Sequence, residues 1–358
     1  MFNGKIKYDF HKLFIIVSNV RRLRNDFIFW HIRDIILNKG DIMQVIDIKH
    51  YANEIRANIE KVIIGKTTEI NLVLSALFAQ GHVLLDDVPG TGKTMFAKAL
   101  AKSFDCDFGR IQFTPDLLPT DLTGINYFNP KTNEFVFRKG ALFTNILLAD
   151  EINRATPRTQ SGLLESMEEK QITIDGVTHP LAAPYFVIAT QNPVETQGTY
   201  PLPEAQLDRF LIRLSLGYPS TRETNDILNR FLWNRPLEEI KPVCQASKLL
   251  DIQEAVNKIF IHDELLNYIV ELTEKTRTSN KVILGVSTRG ALALAKLCRA
   301  YASLCGRAFV LPDDIQLLLP YVYSHRIIRR GGTEGDTGEL LKGIINDTKV
   351  PSENYEGS

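Results

Sequence analysis

The chain has 358 residues, 42 Lys plus Arg against 42 Asp plus Glu, 44% hydrophobic residues and 23% charged ones. These values exclude a wholly disordered chain and leave no overall charge to draw it to nucleic acid or an anionic membrane. The length suits about two domains of roughly 150 residues, and no apolar run approaches the roughly 18 residues of a membrane helix.

Residues 1–42 stand apart as an atypical N-terminal arm, with eight Lys/Arg, four Asp/Glu, seven aromatics and no amphipathic period. Leu13–Val17 is too short for a signal-peptide core, and Asp9, Asp26, Asp34 and Asp41 argue against a mitochondrial-type presequence. A helical period starts at Asp47 and runs through Ile48, Tyr51, Ile55, Ile59 and Val62. The expectation is that translation starts at Met43, residues 1–42 being an upstream reading or a loose arm. The net charge is then +4 before Met43 and −4 from it onward.

From 65 to about 218, short apolar runs alternate with helix-length stretches. The predicted strands are His82–Leu85, Arg110–Phe113, Ile146–Ala149, Tyr185–Ala189 and Leu211–Leu216. Continuous rather than alternating hydrophobicity means that both faces are covered, as in a parallel sheet. Residues 45–218 therefore read as a doubly wound α/β domain with five parallel strands. Two β-hairpins interrupt it. Asn126–Phe137 turns through Asn-Pro-Lys-Thr-Asn, and Gln171–His179 turns at Asp175-Gly176, a pair that suits a type I′ turn.

After Tyr218-Pro219 the pattern changes to helices alone, at Glu223–Trp233, His262–Arg277, Thr288–Leu304 and Pro312–Ile327. Residues 220–330 read as an all-helical second domain, and 331–358 as a loose tail with one short helix near Leu340–Ile345. Cys106, Cys244, Cys298 and Cys305 form no CxxC pair and read as buried thiols of a reducing cytosol.

The chemistry begins at the first strand. His82-Val83-Leu84-Leu85 runs into Asp86-Asp87-Val88-Pro89-Gly90-Thr91-Gly92-Lys93-Thr94, and Met95 continues into a helix. Small residues let backbone N–H groups close around phosphates, and the new helix turns its positive dipole end to them. Lys93 is expected to reach the β- and γ-phosphates of ATP, and Thr94 to ligate Mg²⁺. The strict P-loop has Gly six residues before the Lys; here that residue is Asp87. A second strand delivers Asp150 and Glu151 at its C-terminal end, where open α/β sheets bind ligands. Asp150 suits the Mg²⁺ shell, and Glu151 the attacking water. A third strand ends at Thr190-Gln191-Asn192-Pro193, whose amide at Asn192 reads either as a water-holding group or as ordinary turn chemistry.

Together with Asp150-Glu151-Ile152-Asn153-Arg154-Ala155 and Gly198-Thr199-Tyr200-Pro201-Leu202-Pro203-Glu204-Ala205-Gln206-Leu207-Asp208-Arg209-Phe210, these segments resemble a MoxR-family AAA+ ATPase over about 45–330. The resemblance implies an AAA+ α/β domain followed by a helical lid, in a homo-oligomeric ring, by the family pattern a hexamer, with ATP sites between subunits. It makes Asn192 the sensor-1 residue and Arg209 the arginine finger for the neighbouring subunit's γ-phosphate. The alternative for Arg209 is a surface ion pair with Asp208 or Glu204. Arg289, at a helix start, matches the sensor-2 arginine. A cation there opposes the helix dipole and calls for an anionic partner, phosphate being the natural one. Gly65 resembles the adenine-side segment and equally reads as a helix C-cap. The hairpins match the family's helix-2 insertion and pre-sensor-1 hairpin, facing the ring pore.

The function expected is a cytoplasmic, ATP-hydrolysing, chaperone-like remodeller of protein clients, working with a von Willebrand factor A-domain partner. The alternatives are a nucleic-acid-stimulated motor, disfavoured because Asn126–Phe137 offers only Lys131, and a nucleotide-dependent scaffold. Glu165, Glu168 and Glu169 read as a solvated helix face, and the scattered histidines form no metal-ligand pair.

Overall fold

The computed structural model describes residues 39–88, 90–192, 198–331 and 334–351, with side chains from 45 onward outside 334–336. Pro89 and residues 1–38 of the N-terminal arm lie outside the described residues.

Helix α1, Lys39–Glu60, buries Val45, Ile48, Ala52, Ile55 and Ile59 along one stripe. Helix α2, Thr67–Phe78, is apolar nearly all round and is buried from Leu72 to Phe78. Strand β1, Val83–Asp86, leads through the Gly-rich turn into α3, Lys93–Ser103, and β2, Phe108–Gln112, follows. A short helix, Pro119–Thr123, precedes the hairpin strands β3, Gly124–Asn129, and β4, Glu134–Lys139. Then come β5, Ile146–Asp150, helix α4, Pro157–Glu169, the hairpin strands β6, Gln171–Ile174, and β7, Val177–Pro180, and β8, Phe186–Gln191. A one-turn helix at Glu204–Leu207 leads to β9, Ile212–Leu214.

The main sheet is five-stranded and parallel, in the order β2-β5-β8-β1-β9. Val83 and Leu85 face the core shared with α1 and α3, whereas Leu84 faces the core built on Leu163, Leu164 and Met167 of α4. Burial on both faces explains why the strands read as unbroken apolar runs. The order inserts β8 between β1 and β5, so the C-terminal ends of these three strands share one edge. Asp175 and Gly176 have φ of 50° and 78°, the positive values that a type I′ turn demands.

The second region contains α5, Thr221–Trp233, α6, Ala246–Val256, α7, Asp263–Thr278, and β10, Val282–Leu284. It continues with α8, Thr288–Leu304, α9, Pro312–Tyr323, β11, Ile328–Arg329, and α10, Glu334–Asn346. Helix α8 packs on α2, α1 and α9. Three findings modify the sequence reading. The helical region also contains an antiparallel pair, β10 with β11. Helix α9 stops at Tyr323 and a 3₁₀ turn, Ser324–Arg326, follows. The short helix expected near Leu340–Ile345 begins at Glu334 and is docked by Leu341 and Ile344, both buried.

The first hairpin is also longer than the sequence suggested. Its last residues add the exposed Arg138 and Lys139 to Lys131, so it carries three cations rather than one. Arg138 and Lys139 sit at the base, opposite Ile125 and Gly124, whereas Phe128 and Phe135 are exposed towards the tip.

Candidate functional site

Gly90 and Gly92 adopt φ of 88° and 89°, a backbone that other residues rarely take. Gly92 is the N-cap of α3, so the turn and the first N–H groups of that helix, from Lys93, Thr94 and Met95, form one concave surface. Nothing lies within 4 Å of where a Cβ on Gly90 would stand; at Gly92 the nearest atom is Cδ1 of Ile63, at 3.6 Å. Thr91 Oγ1 donates to the Val88 carbonyl at 3.4 Å. Lys93 Nζ donates to the carbonyls of Asp87 at 3.0 Å and Val88 at 3.3 Å. Its ammonium is thus folded over the loop on neutral acceptors.

Asp87 has a structural reason to replace the glycine of the strict motif. Its buried carboxylate accepts from Ser215 Oγ at 2.8 Å and from the N–H groups of Leu216 and Gly217 at 2.8 and 2.9 Å. The phosphate loop is thereby tied to the chain leaving β9. Gly65, with φ of 75°, lies in the turn between α1 and α2 against Glu223, whose Oε1 is 1.7 Å from the position of a Cβ there. Ile63 of the same turn reaches Gly92, which brings this segment over the Gly-rich loop.

At the end of β5, Asp150 is 9% exposed and each of its oxygens is held. Oδ1 accepts from Thr190 Oγ1 at 2.7 Å and Oδ2 from Arg110 Nη2 at 2.8 Å. Glu151 has φ 56° and ψ 49°, a left-handed conformation that costs a non-glycine residue energy and concentrates at functional positions. Its N–H donates to Thr190 Oγ1 at 2.9 Å. Its Oε2 accepts from Gln112 Nε2 at 2.7 Å and Arg154 Nη1 at 3.0 Å. Asn192, half-buried, follows the end of β8, between the loop after β1 and the acids after β5. One sheet edge therefore gathers Lys93, Thr94, Asp150, Glu151 and Asn192. The left-handed glycines, the helix N-terminus, the ammonium and the paired acids fit a nucleoside triphosphate with its divalent cation. Among the described residues, no group of His, Cys, Asp and Glu forms a separate metal cluster.

The two remaining arginines lie on a different surface. Arg209 pairs with neither Asp208 nor Glu204 in the manner weighed from the sequence. Its Nη1 donates to the Leu164 carbonyl at 2.6 Å, and its Nε is 3.4 Å from Glu168 Oε2. Arg289, in the first turn of α8, places Nη1 3.2 Å from Glu168 Oε1. Glu165, Glu168 and Glu169 are all exposed, as expected of a solvated face of α4, and Glu168 in addition bridges both arginines. Gly290 follows Arg289 because a Cβ there would stand 2.5 Å from Val286 Cγ1 and 2.9 Å from Arg326 Cδ. The anion that Arg289 needs is, in this structure, a carboxylate.

Sequence reasoning missed Gln112, Arg154, Arg110, Thr190 and Glu168. The partners Arg110 and Thr190 are each 40 residues from Asp150, and Gln112 is 39 from Glu151. Only the adjacency of β2, β5 and β8 unites them.

The comparisons with known proteins agree with this architecture. A profile of the ATPase family associated with various cellular activities (AAA) matches residues 82–212, and one of the AAA lid domain matches 274–343. The chain is 39% identical to chaperone MoxR1 of Mycobacterium tuberculosis over 279 residues, which is 75% of this chain and 74% of that protein. The chain belongs to the MoxR family of AAA+ ATPases. A Bacillus subtilis relative, the uncharacterized protein YeaC, is 51% identical over 82% of this chain and 93% of its own. A crystal structure from Cytophaga hutchinsonii, described as a candidate ATPase, superposes with a TM-score of 0.82 at 36% identity, covering 88% of this chain and 99% of that one. The resemblance read from the motifs and the expected α/β domain with a helical lid are therefore borne out. No described helix of this MoxR-family chain is long and apolar enough to cross a membrane.

Proposed function

We propose that this chain hydrolyses ATP with Mg²⁺ in a homo-oligomeric ring, hexameric by the family pattern, and uses the turnover to remodel a protein client. The observation that carries the reading is the separation of two half-sites. Lys93, Thr94, Asp150, Glu151 and Asn192 share one sheet edge, while Arg209 and Arg289 meet on Glu168 at the end of α4. A site split in this way is complete when a neighbouring copy supplies the arginines.

In this reading the N–H groups from Gly90 to Met95 cradle the phosphates. The Gly65 segment covers the adenine side. Lys93 exchanges two loop carbonyls for phosphate oxygens, a stronger, charge-assisted contact. Thr94 and Asp150 would hold the metal, Asp150 being already oriented by Thr190 and Arg110. The bound metal supplies charge neutralisation at the transferring phosphoryl group. Glu151 accepts a proton from the attacking water, and Asn192 orients that water. The neighbour's Arg209 stabilises charge developing in the transition state, an effect worth about 10³–10⁵ in rate where a finger acts in trans.

The remodelling role draws support from the relative named as a chaperone and from the hairpins. Phe128 and Phe135, paired edge-to-face 5.6 Å apart near the tip of β3–β4, suit contact with protein better than with a phosphate backbone. The family resemblance supports a cytoplasmic location and a von Willebrand factor A-domain partner. The nucleic-acid motor remains the second reading because Arg138 and Lys139 add charge to that hairpin. The test is ATP turnover of the wild type, Glu151→Gln and Arg209→Ala, with and without single-stranded DNA. Loss of turnover in both variants with no response to DNA supports the proposal. Strong DNA stimulation overturns the client assignment, and unchanged turnover in Arg209→Ala overturns the ring site.

A further inference from the structure

We propose that Glu168 is the resting counter-ion of Arg209 and Arg289 and competes with the neighbouring subunit's nucleotide for both. This inference rests on the ring reading above. Glu168 lies in the last turn of α4, Arg209 follows the one-turn helix Glu204–Leu207, and Arg289 opens α8 in the lid. Three separate elements thus converge on one carboxylate. Its oxygens are divided between the two guanidinium groups, Oε2 to Arg209 at 3.4 Å and Oε1 to Arg289 at 3.2 Å.

The arrangement is built to be exchanged. The side chains of Glu168, Arg209 and Arg289 are 39%, 30% and 45% exposed, so water screens both pairs and an incoming anion can reach them. One carboxylate against two guanidinium groups leaves the cluster with an uncompensated positive charge. A polyphosphate offers more negative charge and several oxygens in the geometry that a guanidinium binds as a fork, so it is the stronger acceptor. Arg289 also stands at a helix N-terminus whose Gly290 N–H is already capped by Ser287 Oγ at 3.2 Å. A cation in that turn is disfavoured by the helix dipole, so a nearby anion stabilises it. Glu168 supplies one in the separate protomer, and the neighbour's phosphate supplies one in the ring. Because Glu168 pairs with both arginines, one carboxylate joins the α/β domain to the lid at the place where the neighbour's nucleotide would act.

The test compares wild type with Glu168→Gln, which keeps the shape and removes the charge, and with Glu168→Ala. Sedimentation velocity in adenylyl imidodiphosphate and Mg²⁺ gives the protein concentration for half-assembly, and ATP turnover is measured at saturating protein. Competition predicts a half-assembly concentration lower by about three- to tenfold in both variants, the scale of two half-exposed ion pairs. Turnover at saturating protein stays within about twofold of wild type on this account. An unchanged or raised half-assembly concentration overturns the proposal. So does a fall in saturated turnover to the level of Arg209→Ala, which would make Glu168 part of the assembled site. If wild type itself fails to assemble with the analogue, the ring reading falls and takes this inference with it. Assembly of wild type with no shift in the variants removes Glu168 alone.

Discussion

Arg326, in the turn after α9, donates from Nε to Oδ1 of Asp208 at 2.6 Å, so the lid grips the residue immediately before Arg209. The same guanidinium also donates to the carbonyls of Asp208, Phe210, Leu211 and Val322 and contacts His325 Nε2. Ser287, the N-cap of α8, donates to the other Asp208 oxygen at 3.2 Å. Lid position and Arg209 position are therefore one mechanical unit.

That unit is testable. A lysine keeps the charge of Arg326 but cannot reproduce a planar fork serving several acceptors. Arg326→Lys is expected to lower the unfolding free energy by about 2–4 kcal/mol, measured by urea denaturation, because the half-buried Asp208 carboxylate and the carbonyls around the buried guanidinium lose donors. A change below about 0.5 kcal/mol, the level of a neutral surface substitution, would count against the coupling.

Asp87 explains the departure from the strict phosphate-loop pattern. Replacing it by Gly, which restores that pattern, leaves the buried Leu216 N–H without its acceptor and the Gly217 N–H with Ser215 Oγ alone, at 3.2 Å. Asp87→Gly is expected to cost about 2–4 kcal/mol of stability and to weaken nucleotide binding, because the loop loses its tie to β9. Thermal unfolding with and without nucleotide checks both effects.

Glu151 Oε2 is already occupied by Gln112 and Arg154. Those two bonds occupy Oε2 and leave Oε1 to take the water proton, so losing Gln112 frees a second acceptor position on the same carboxylate. Gln112→Ala is expected to raise basal ATP turnover about two- to fivefold with nucleotide affinity unchanged. Steady-state kinetics beside equilibrium binding of a fluorescent nucleotide makes the distinction. A fall in turnover would show that Gln112 positions Glu151 productively.

His82 gives the fold an acid-sensitive element. Burial pulls its pKa from 6.5 down to about 4, against the opposing hydrogen bond with the Met167 carbonyl, and Lys170 adds to the depression. The neutral ring is satisfied, since Nε2 lies 3.0 Å from the Met167 carbonyl and Nδ1 accepts from Val187 N at 3.0 Å. The unfolded chain binds this proton near pH 6.5 and the native chain only near pH 4. Stability is therefore full above about pH 6.5 and falls as the pH drops towards 4, by up to about 1.4 kcal/mol per unit from this residue. His325, buried beside Arg326, shifts in the same direction. Urea denaturation at pH 7.5 and 5.5 is expected to show the loss, and His82→Gln to reduce the difference.

Local pattern made much of this legible in the sequence. The strands announced themselves because both of their faces are buried, and the second hairpin because Asp175-Gly176 permits two positive φ values. The phosphate loop and Asp150-Glu151 were readable because each is contiguous. What stayed hidden is assembled across the fold. Gln112 on β2 meets Glu151 only because β2 lies beside β5, and nothing around Gln112 signals it. Glu168 reads as a solvated residue because it is exposed like Glu165 and Glu169, while its partners come from two distant segments. Strands β10 and β11, of three and two residues, are too short to display a period. Asp87 was legible as an exception but not as an anchor, since its acceptor role depends on the chain after β9.

The central claim is that each ATP site is completed by the neighbour's Arg209. Mixing Glu151→Gln with Arg209→Ala protein tests it directly, each being expected to be inactive alone. At equal amounts, about a quarter of randomly formed interfaces in a head-to-tail ring combine an intact Glu151 with an intact Arg209 from the next subunit. The account predicts that turnover recovers towards about a quarter of wild type on mixing. Turnover no higher than the mean of the separate variants would contradict it.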